Sequence, residues 1–177
     1  NVKNALAVIA ACHTLAKGDT KRLLNAVGSF EGTARRFEMR KPIGNTIVID
    51  DYGHHPTEVA MTLRAVRERY PQKKIWCVFW PHTYSRTEKL FDDFAKSFDE
   101  VNEIVLIDIY GSVREQAGTV TSRQLADAIN LRKTTHATAP GSSIQTAEYI
   151  KAHLNEIEVL VTMGAEDVWK EWDTLLK

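Results

Sequence analysis

The sequence predicts a doubly wound α/β domain, in which a mostly parallel sheet carries helices on both faces. From residue 36 onward, short apolar runs alternate with segments of helical periodicity, and such repeated units are typical of parallel sheets with right-handed crossovers. Residues 74–80 are apolar almost throughout, as is typical of a strand that is covered on both faces. The β-branched run at 46–49 has the same character, so both runs are expected to be buried parallel strands.

Two helices are expected before this alternation begins. Residues 3–17 form an Ala-rich helical pattern, and residues 20–29 form a second pattern that Asp19 can N-cap. We expect a domain boundary between 1–31 and 32–177, because the pattern changes there. A chain that lacks an initiator Met and starts close to a helix is expected to be a piece of a longer protein.

The elements after the boundary follow in a regular order. Residues 36–40 and 46–50 are expected to form an antiparallel hairpin at the sheet edge, because Pro42 and the pair Gly44-Asn45 separate two strand-like runs. The further predicted strands cover 74–80, 104–109, 134–138 and 158–163. The predicted helices cover 57–69, 88–98, 122–130, 143–155 and 167–176.

Composition argues against several classes of function. Lys plus Arg and Asp plus Glu both number 23, so no net positive field favours binding to nucleic acid or to an anionic membrane. No apolar run approaches the ~18 residues of a membrane-spanning helix, and no signal peptide is recognisable. Cys12 and Cys77 lie in apolar segments, which favours two buried thiols in a reducing compartment over a disulfide.

Polar side chains follow four of the predicted strands. Because ligands bind at the carboxyl ends of the strands in open α/β sheets, we expect the four loops to converge on one rim. Their density of acids, imidazoles and guanidinium groups indicates a site for a charged small molecule. The loops are Asp-Asp-Tyr-Gly-His-His-Pro at 50–56, Pro-His-Thr-Tyr-Ser-Arg at 81–86, Tyr-Gly-Ser-Val-Arg-Glu at 110–115 and Gly-Ala-Glu-Asp at 164–167.

Two of these motifs also have a purely structural interpretation. Asp50 and Asp51 can cap the helix that follows them, for which Thr57 is a competing cap. Arg86 can pair on the surface with Glu88 or Asp92. Alternatively, its guanidinium can clamp a carboxylate through two parallel hydrogen bonds.

The adjacent histidines His54 and His55 suggest a metal site with Asp51 and His82, and hence a metal-dependent hydrolase. No His-x₃-His or Cys-x₂-Cys spacing supports that interpretation, so no dedicated metal site is expected. The sequence also has no Walker-type phosphate loop, no G-x-G-x-x-G fingerprint and no G-x-S-x-G nucleophile elbow. A Ser-His-Asp hydrolase is therefore poorly supported.

Four motifs in fixed order resemble the Mur ligases of bacterial peptidoglycan synthesis, and the resemblance covers essentially the whole chain. It implies a three-domain enzyme whose C-terminal domain is Rossmann-like and presents the amino acid. Residues 32–177 would be that domain, and 1–31 would be the last helices of the central ATPase domain. The motifs are Asn-Val-Lys-Asn-Ala at 1–5, Gly-Thr-Ala-Arg-Arg-Phe-Glu at 32–38, Asp-Asp-Tyr-Gly-His-His-Pro-Thr-Glu at 50–58 and Pro-His-Thr-Tyr-Ser-Arg-Thr at 81–87.

The implied activity is an ATP-dependent ligation of an amine to a carboxylate in the bacterial cytoplasm. Within the family, the motifs favour the member that joins L-alanine to UDP-N-acetylmuramate through an acyl phosphate. ATP and Mg²⁺ would be held mainly by the central domain, so this fragment alone is expected to be inactive. The alternatives are the ligase that re-attaches recycled murein tripeptide, which usually reads Pro-Arg-Ser at 81–83, and a non-catalytic nucleotide- or amino-acid-binding module.

The resemblance also assigns roles to residues that would bind the nucleotide. Asn1 and Asn4 match asparagines that face the adenine, and Asp51 matches an acid that contacts the ribose. Arg36 matches an arginine that approaches the ATP phosphates, where its charge would offset developing negative charge.

Another group would lie at the amino-acid end of the site. Arg86 is expected to bind the alanine carboxylate, with His82 as its neighbour and Arg114 as a weaker candidate. Tyr52 and His54 fall in the same region, and His54 is the candidate general base. One departure concerns residue 166, where Glu stands at a position that is usually glycine in related ligases. The Glu166 side chain therefore lies where the resemblance implies that the backbone closely approaches a ligand.

Overall fold

The computed structural model describes residues 2–16, 19–30, 32–112, 115, 118–168 and 172. The chain divides into two compact units, Asn1–Thr33 and Ala34–Lys177. The smaller unit contains helices α1 (Val2–Ala16) and α2 (Thr20–Gly28), and α2 begins where the Asp19 carboxylate accepts a hydrogen bond from the Lys21 amide at 2.9 Å. Both predicted helices and the predicted cap are confirmed.

The larger unit is built on one six-stranded sheet with strand order β1-β2-β6-β3-β4-β5 among the residues described. Strand β1 pairs antiparallel with β2 at the edge, and the other neighbours pair in parallel. The predicted fold class and the edge hairpin are therefore confirmed. The strands are β1 (Glu38–Met39), β2 (Ile47–Asp51), β3 (Ile75–Trp80), β4 (Glu103–Ile107), β5 (His136–Gly141) and β6 (Val159–Gly164).

Strand β1 is shorter than the predicted strand 36–40. Arg35 and Phe37 have φ angles of 57° and 55°, in the left-handed region that an extended strand does not use. Pairing therefore begins only at Glu38. The two left-handed residues turn the chain sharply and bring the Arg35 side chain over the carboxyl end of β2.

Helices cover both faces of the sheet and close two apolar clusters. On one face, Val59 and Leu63 of α3 and Leu125 of α6 are buried. On the other face, Ile150 of α7 packs with the buried Trp172. Fully burying one such side chain stabilises a fold by about 1.5–3 kcal/mol. The helices are α3 (Pro56–Arg69), α4 (Tyr84–Lys89), α5 (Phe91–Ala95), α6 (Ser122–Arg132) and α7 (Ser143–Ala152).

Two helix predictions need correction. The single helix predicted for 88–98 is wrong, because α4 and α5 meet at Leu90, whose φ and ψ of −113° and 22° leave helical geometry. Asp92 and Asp93 in the first turn of α5 favour a new start there, since acidic side chains stabilise a helix N-terminus. The helix predicted for 143–155 ends at 152, and a 3₁₀ turn follows at Leu154–Glu156. The helix predicted for 167–176 lies largely outside the described residues.

Cys77 is buried and Cys12 is half-buried, and both thiols are free. Burial raises the pKa of the Cys77 thiol, which keeps it protonated and unreactive. Within the described part of the chain, no helix is long and apolar enough to span a bilayer.

Candidate functional site

The four polar loops converge at the carboxyl edge of the sheet, as the sequence predicts. The loop after β3 joins the loop after β4, because the Tyr110 amide donates to the Pro81 carbonyl and the Thr83 amide donates to the Tyr110 carbonyl, both at 2.9 Å. The Glu115 carboxylate then accepts hydrogen bonds from the Tyr84 and Ser85 amides, both at 2.8 Å. These contacts lower the pKa of Glu115, those from Ser85 most strongly.

Arg35 ties the loop after β6 to the end of β2. Its Nε lies 3.1 Å from Oδ2 of Asp50, whose side chain is only 1% exposed. Its Nη2 donates to the carbonyls of Gly164 and Glu166 at 2.7 Å, and its Nη1 donates to the Ala165 carbonyl at 3.0 Å. One guanidinium therefore holds three successive carbonyls in place.

Sequence reasoning missed this role of Arg35, although one signal pointed to it. Asp50 lies in an apolar strand, and a buried carboxylate requires a cation or hydrogen-bond donors close by. Burial raises the pKa of Asp50, whereas the hydrogen bond from Thr162 Oγ1 at 2.7 Å and the charge of Arg35 lower it, and the net shift is upward. Two basic pairs closely precede Asp50 in the sequence, Arg35-Arg36 and Arg40-Lys41, and either is a possible source of such a cation.

Asp51 braces the turn that follows β2. Its Oδ2 accepts from the Phe37 amide and its Oδ1 accepts from the Gly53 amide, both at 2.8 Å. A Cβ atom at Gly53 would lie 2.8 Å from Asp51 Oδ1 and from the Met163 side chain, so the turn requires glycine. Both carboxylate oxygens of Asp51 are thus already engaged with the backbone.

The N-cap of α3 is His55, so the purely structural alternative, in which Asp50, Asp51 or Thr57 caps this helix, does not apply. The His55 Nδ1 atom accepts from the Thr57 amide at 3.3 Å, and Glu58 Oε2 accepts from the His55 amide at 3.2 Å. This reciprocal pair is a capping box, in which histidine takes the place that serine or threonine usually occupies.

His54 has a different environment from its neighbour. Its Nδ1 atom lies 3.1 Å from the Tyr52 carbonyl, which can only accept, so Nδ1 is the donor, and in a neutral imidazole the lone pair then lies on Nε2. Glu58 Oε2 lies 3.8 Å from the same Nδ1 and favours the same tautomer. The imidazole also contacts the Tyr52 ring edge-on, with centroids 5.1 Å apart. The two adjacent histidines therefore differ in role. His55 caps α3, whereas Nε2 of His54 has no hydrogen-bond partner among the described residues.

Tyr52 lies beneath two guanidinium groups. The Cζ atoms of Arg35 and Arg36 are 5.2 and 5.3 Å from the centre of its ring, within the range of cation–π attraction. Arg36 is exposed, whereas Arg35 is half-buried. Arg36 therefore offers a positive charge to solvent at this edge.

His82 and Arg86 carry polar atoms that are buried without a hydrogen-bond partner among the described residues. These atoms are Nδ1 of His82 and Nη1 of Arg86. On its other side, His82 Nε2 lies 3.4 Å from Oε1 of Glu166. The imidazole stacks on Tyr110 with centroids 5.4 Å apart and an angle of 19° between the rings. Among the described residues, Arg86 forms no ion pair with Glu88 or Asp92.

Burial lowers the pKa of His82 below its ordinary value. Among the neighbouring charges, Glu166 and Glu115 oppose this shift, whereas Arg86 and His54 reinforce it. The neutral imidazole is consequently favoured near pH 7.

The remaining predicted site residues fall elsewhere. Asn1 and Arg114 lie outside the described residues, and Asn4 is an exposed residue of α1 in the smaller unit. No group of three or more His, Cys, Asp or Glu side chains suited to a metal ion exists in the part of the chain that the structure describes. The set His54, His55, Asp51 and His82 is therefore not assembled as a metal centre.

The sequence is similar to those of known ligases. A family model described as Mur ligase, glutamate ligase domain, matches residues 35–166. The UDP-N-acetylmuramate–L-alanine ligase of Clostridium acetobutylicum is 46% identical over 170 residues, which cover 96% of this chain and 36% of that protein.

Two solved structures share the fold over 99% of this chain and 36% of their own. The UDP-N-acetylmuramate–alanine ligase of Thermotoga maritima matches with a TM-score of 0.80 at 28% identity. A murein peptide ligase of Psychrobacter arcticus matches with a TM-score of 0.71 at 22% identity, which indicates a common fold alone. The chain thus spans about a third of the length of these relatives.

Proposed function

Because this chain belongs to the Mur ligase family, we propose that it is the amino-acid-presenting domain of an ATP-dependent ligase that joins L-alanine to UDP-N-acetylmuramate. In this proposal, 32–177 form the C-terminal domain and 1–31 are the last helices of the central ATPase domain. The reaction supplies a peptidoglycan precursor for cell-wall biogenesis, cell shape and division. It consumes ATP and a UDP-sugar, so we place it in the bacterial cytoplasm.

The observation that carries the proposal is a pair of buried atoms, on His82 and Arg86, that have no hydrogen-bond partner among the described residues. A buried polar atom that lacks a partner costs about 1–3 kcal/mol, so its presence at a converging set of loops favours a ligand there. Arg86 Nη1 is a charged donor, and a carboxylate is its natural acceptor. The identity of 46% to an L-alanine ligase supports alanine as the carboxylate-bearing acceptor.

The chemistry requires two anions to be brought together. ATP phosphorylates the UDP-sugar carboxylate, the alanine amine attacks the acyl phosphate, and the tetrahedral intermediate expels phosphate. Positioning and charge neutralisation supply most of the acceleration in such a reaction. The exposed guanidinium of Arg36 would offset charge on the ATP phosphates when this domain closes over the central domain.

A base must remove a proton from the alanine ammonium before the amine can attack. His54 suits that role, because its Nδ1 proton is directed at the Tyr52 carbonyl and its Nε2 lone pair is open. His55 does not suit it, because its Nδ1 accepts the hydrogen bond that caps α3. Tyr52 would orient His54 through the same carbonyl and through its ring.

The nucleotide contacts follow the family resemblance. Asp51 would accept hydrogen bonds from the ribose through the lone pairs that remain on its two carboxylate oxygens. Asn1 and Asn4 would face the adenine. Mg²⁺ neutralises phosphate charge in such enzymes, and the described residues of this chain offer no metal centre of their own. The ion would therefore be held mainly by the central domain, and Arg114 remains a weaker candidate for the amino-acid end.

Two other functions compete with this proposal. A ligase that re-attaches recycled murein tripeptide would share the fold, and the structure of the Psychrobacter arcticus murein peptide ligase supports only that much. A binding module without catalysis would use the same edge of the sheet.

The deciding experiment measures ADP release by a protein that carries this chain together with an N-terminal UDP-sugar domain and a central ATPase domain. UDP-N-acetylmuramate is supplied with either L-alanine or the L-Ala-γ-D-Glu-meso-diaminopimelate tripeptide. Turnover that depends on free L-alanine supports the proposal. Turnover with the tripeptide alone identifies the recycling ligase, and no turnover with either favours the binding module. The chain by itself is expected to release no ADP.

A further inference from the structure

We propose that Glu166 is a positioning residue, which holds His82 in the tautomer whose Nδ1 accepts a hydrogen bond from the ammonium group of the acceptor amino acid. This inference rests on the proposed function, and it assigns that function a second recognition contact besides the Arg86 guanidinium. It concerns the position at which the sequence departs from the glycine of related ligases.

Glu166 lies beside one ring nitrogen of the His82 imidazole. Glu166 Oε1 lies 3.4 Å from Nε2 of His82, and their side chains are 34% and 22% exposed. Stacking on Tyr110 restricts the orientation of the ring. A negative charge beside one ring nitrogen favours the proton on that nitrogen, as carboxylates do for metal-binding histidines. A neutral imidazole with its proton on Nε2 has its lone pair on Nδ1.

The backbone of Glu166 is held in place by hydrogen bonding. The Arg35 guanidinium accounts for this, because it binds the carbonyls of residues 164, 165 and 166 at 2.7–3.0 Å and is itself paired with Asp50. An exposed surface carboxylate pays side-chain entropy to pair and contributes little. A carboxylate on a braced loop loses less freedom when it pairs with His82.

The two buried atoms that lack partners among the described residues are complementary to each other. In the tautomer favoured by Glu166, His82 Nδ1 is an acceptor, and Arg86 Nη1 is a donor. An α-amino acid is a zwitterion that presents a donor ammonium and an acceptor carboxylate two bonds apart. His82 and Arg86 are close enough for the Arg86 charge to lower the pKa of His82, and in this proposal one such ligand bonds to both atoms. The lowered pKa of His82 keeps Nδ1 available as an acceptor near pH 7.

The tautomer can be read directly by NMR of the ¹⁵N-labelled chain, in which one-bond and two-bond ring couplings distinguish a proton on Nε2 from one on Nδ1. We expect the Nε2–H form for His82 at pH 7.5. In Glu166→Gln, whose neutral amide can present either a donor or an acceptor, we expect a substantial Nδ1–H population. Glu148→Gln on the exposed face of α7 is the matched control and should leave His82 unchanged.

The same variants in the multidomain protein test the role in binding. Glu166→Gln is expected to raise the KM for L-alanine about fivefold, with the KM for ATP unchanged, because only the fraction of His82 that keeps its proton on Nε2, about a fifth, can then accept a hydrogen bond from the ammonium. Glu166→Gly should do the same without adding an amide donor. An Nδ1–H tautomer in the unsubstituted chain, or a tautomer insensitive to Glu166→Gln, overturns the positioning role. An altered tautomer with an unchanged KM for L-alanine overturns the ammonium contact.

Failure of the proposed function gives a different result. If the unsubstituted multidomain protein shows no turnover with L-alanine, the proposed acceptor is wrong, and the ammonium contact is overturned with it. The tautomer of His82 needs no substrate, so it still decides whether Glu166 positions the ring.

Discussion

Arg35 and Asp50 form an ion pair in which the partners are 19% and 1% exposed, with Nε and Oδ2 separated by 3.1 Å. Asp50 is the penultimate residue of β2, and the remaining donors of Arg35 hold the loop after β6. The two ends of neighbouring parallel strands are thus fixed by one cation. The positive φ of Arg35 is what turns its side chain into this position.

Replacing Arg35 by alanine is therefore expected to destabilise the domain by about 3–5 kcal/mol, because a buried carboxylate loses its cation. Arg35→Lys should recover part of the loss, since a lysine restores the charge without the fork of donors. Urea unfolding of the chain measures both. The control is Arg64→Ala, which breaks an exposed pair with Glu68 and should change stability by less than about 1 kcal/mol. Equal losses in Arg35→Ala and Arg64→Ala would contradict the central role of the pair.

Gly164 is expected to resist substitution. Its φ is 143°, and a Cβ atom there would lie 2.8 Å from the Trp80 carbonyl oxygen of the neighbouring strand. Gly164→Ala should thus lower the unfolding free energy by about 1–3 kcal/mol through backbone strain. Gly28→Ala is the control, because its added Cβ meets nothing within 4 Å. Thermal unfolding of both variants checks the prediction, and a Gly164→Ala protein as stable as Gly28→Ala would refute it.

The adjacent histidines should respond to mutation in opposite ways. His55→Ala removes the cap of α3 and is expected to destabilise the chain by about 1 kcal/mol, with little effect on turnover. His54→Ala removes the proposed base and should reduce kcat of the multidomain protein by about 10²–10⁴-fold. Each variant serves as the control for the other in unfolding and rate measurements. A large loss of kcat in His55→Ala with none in His54→Ala would reverse the assignment.

The pH dependence of stability should carry a contribution from His82. Its folded pKa lies below the ordinary value of 6.5, so below that pH the unfolded state binds a proton that the folded state resists. The stability contribution is complete above pH 6.5 and is lost as the pH falls toward the folded pKa. Glu58 and Glu115 have lowered pKa values, so their contributions to stability are lost only below their ordinary pKa of 4.5. Urea unfolding at pH 5–7 measures this contribution. The unfolding free energy of His82→Gln should therefore rise less steeply with pH than that of the unsubstituted chain.

The fold could be predicted from the sequence because its signals are local. The apolar run that forms β3 is favourable only when buried. Alternating strands and helices commonly form a parallel sheet with helices on both faces. The short helices α4 and α5 were missed because Leu90 continues the apolar periodicity while its backbone leaves the helix. Hydrophobic periodicity records which side chains are buried, and a break in backbone hydrogen bonding leaves it unchanged.

The site was predicted in outline only, for a different reason. Motifs identified the loops that converge, but the partners of each polar atom depend on contacts between residues distant in sequence. Asp51 accepts a hydrogen bond from the Phe37 amide 14 positions earlier, and Glu166 lies beside His82 across 84 positions of the chain. No spacing in the sequence reports such pairs. The same limit explains why Arg35 was passed over in favour of Arg36.

Arg86 provides the most direct test of how the acceptor is recognised. Its Nη1 is buried without a partner among the described residues, and we expect it to bind the carboxylate of L-alanine. Hydrogen bonds to charged groups contribute about 1.5–3 kcal/mol, so Arg86→Ala should raise the KM for L-alanine by about 10–150-fold. The KM for ATP should change far less, because the nucleotide is held mainly by another domain. The KM of Arg86→Lys for L-alanine should lie between those of the unsubstituted protein and Arg86→Ala, since an ammonium keeps the charge but cannot form two parallel hydrogen bonds. Steady-state ADP release by the multidomain protein supplies all of these constants, and equal effects on both KM values would show that Arg86 does not recognise the carboxylate.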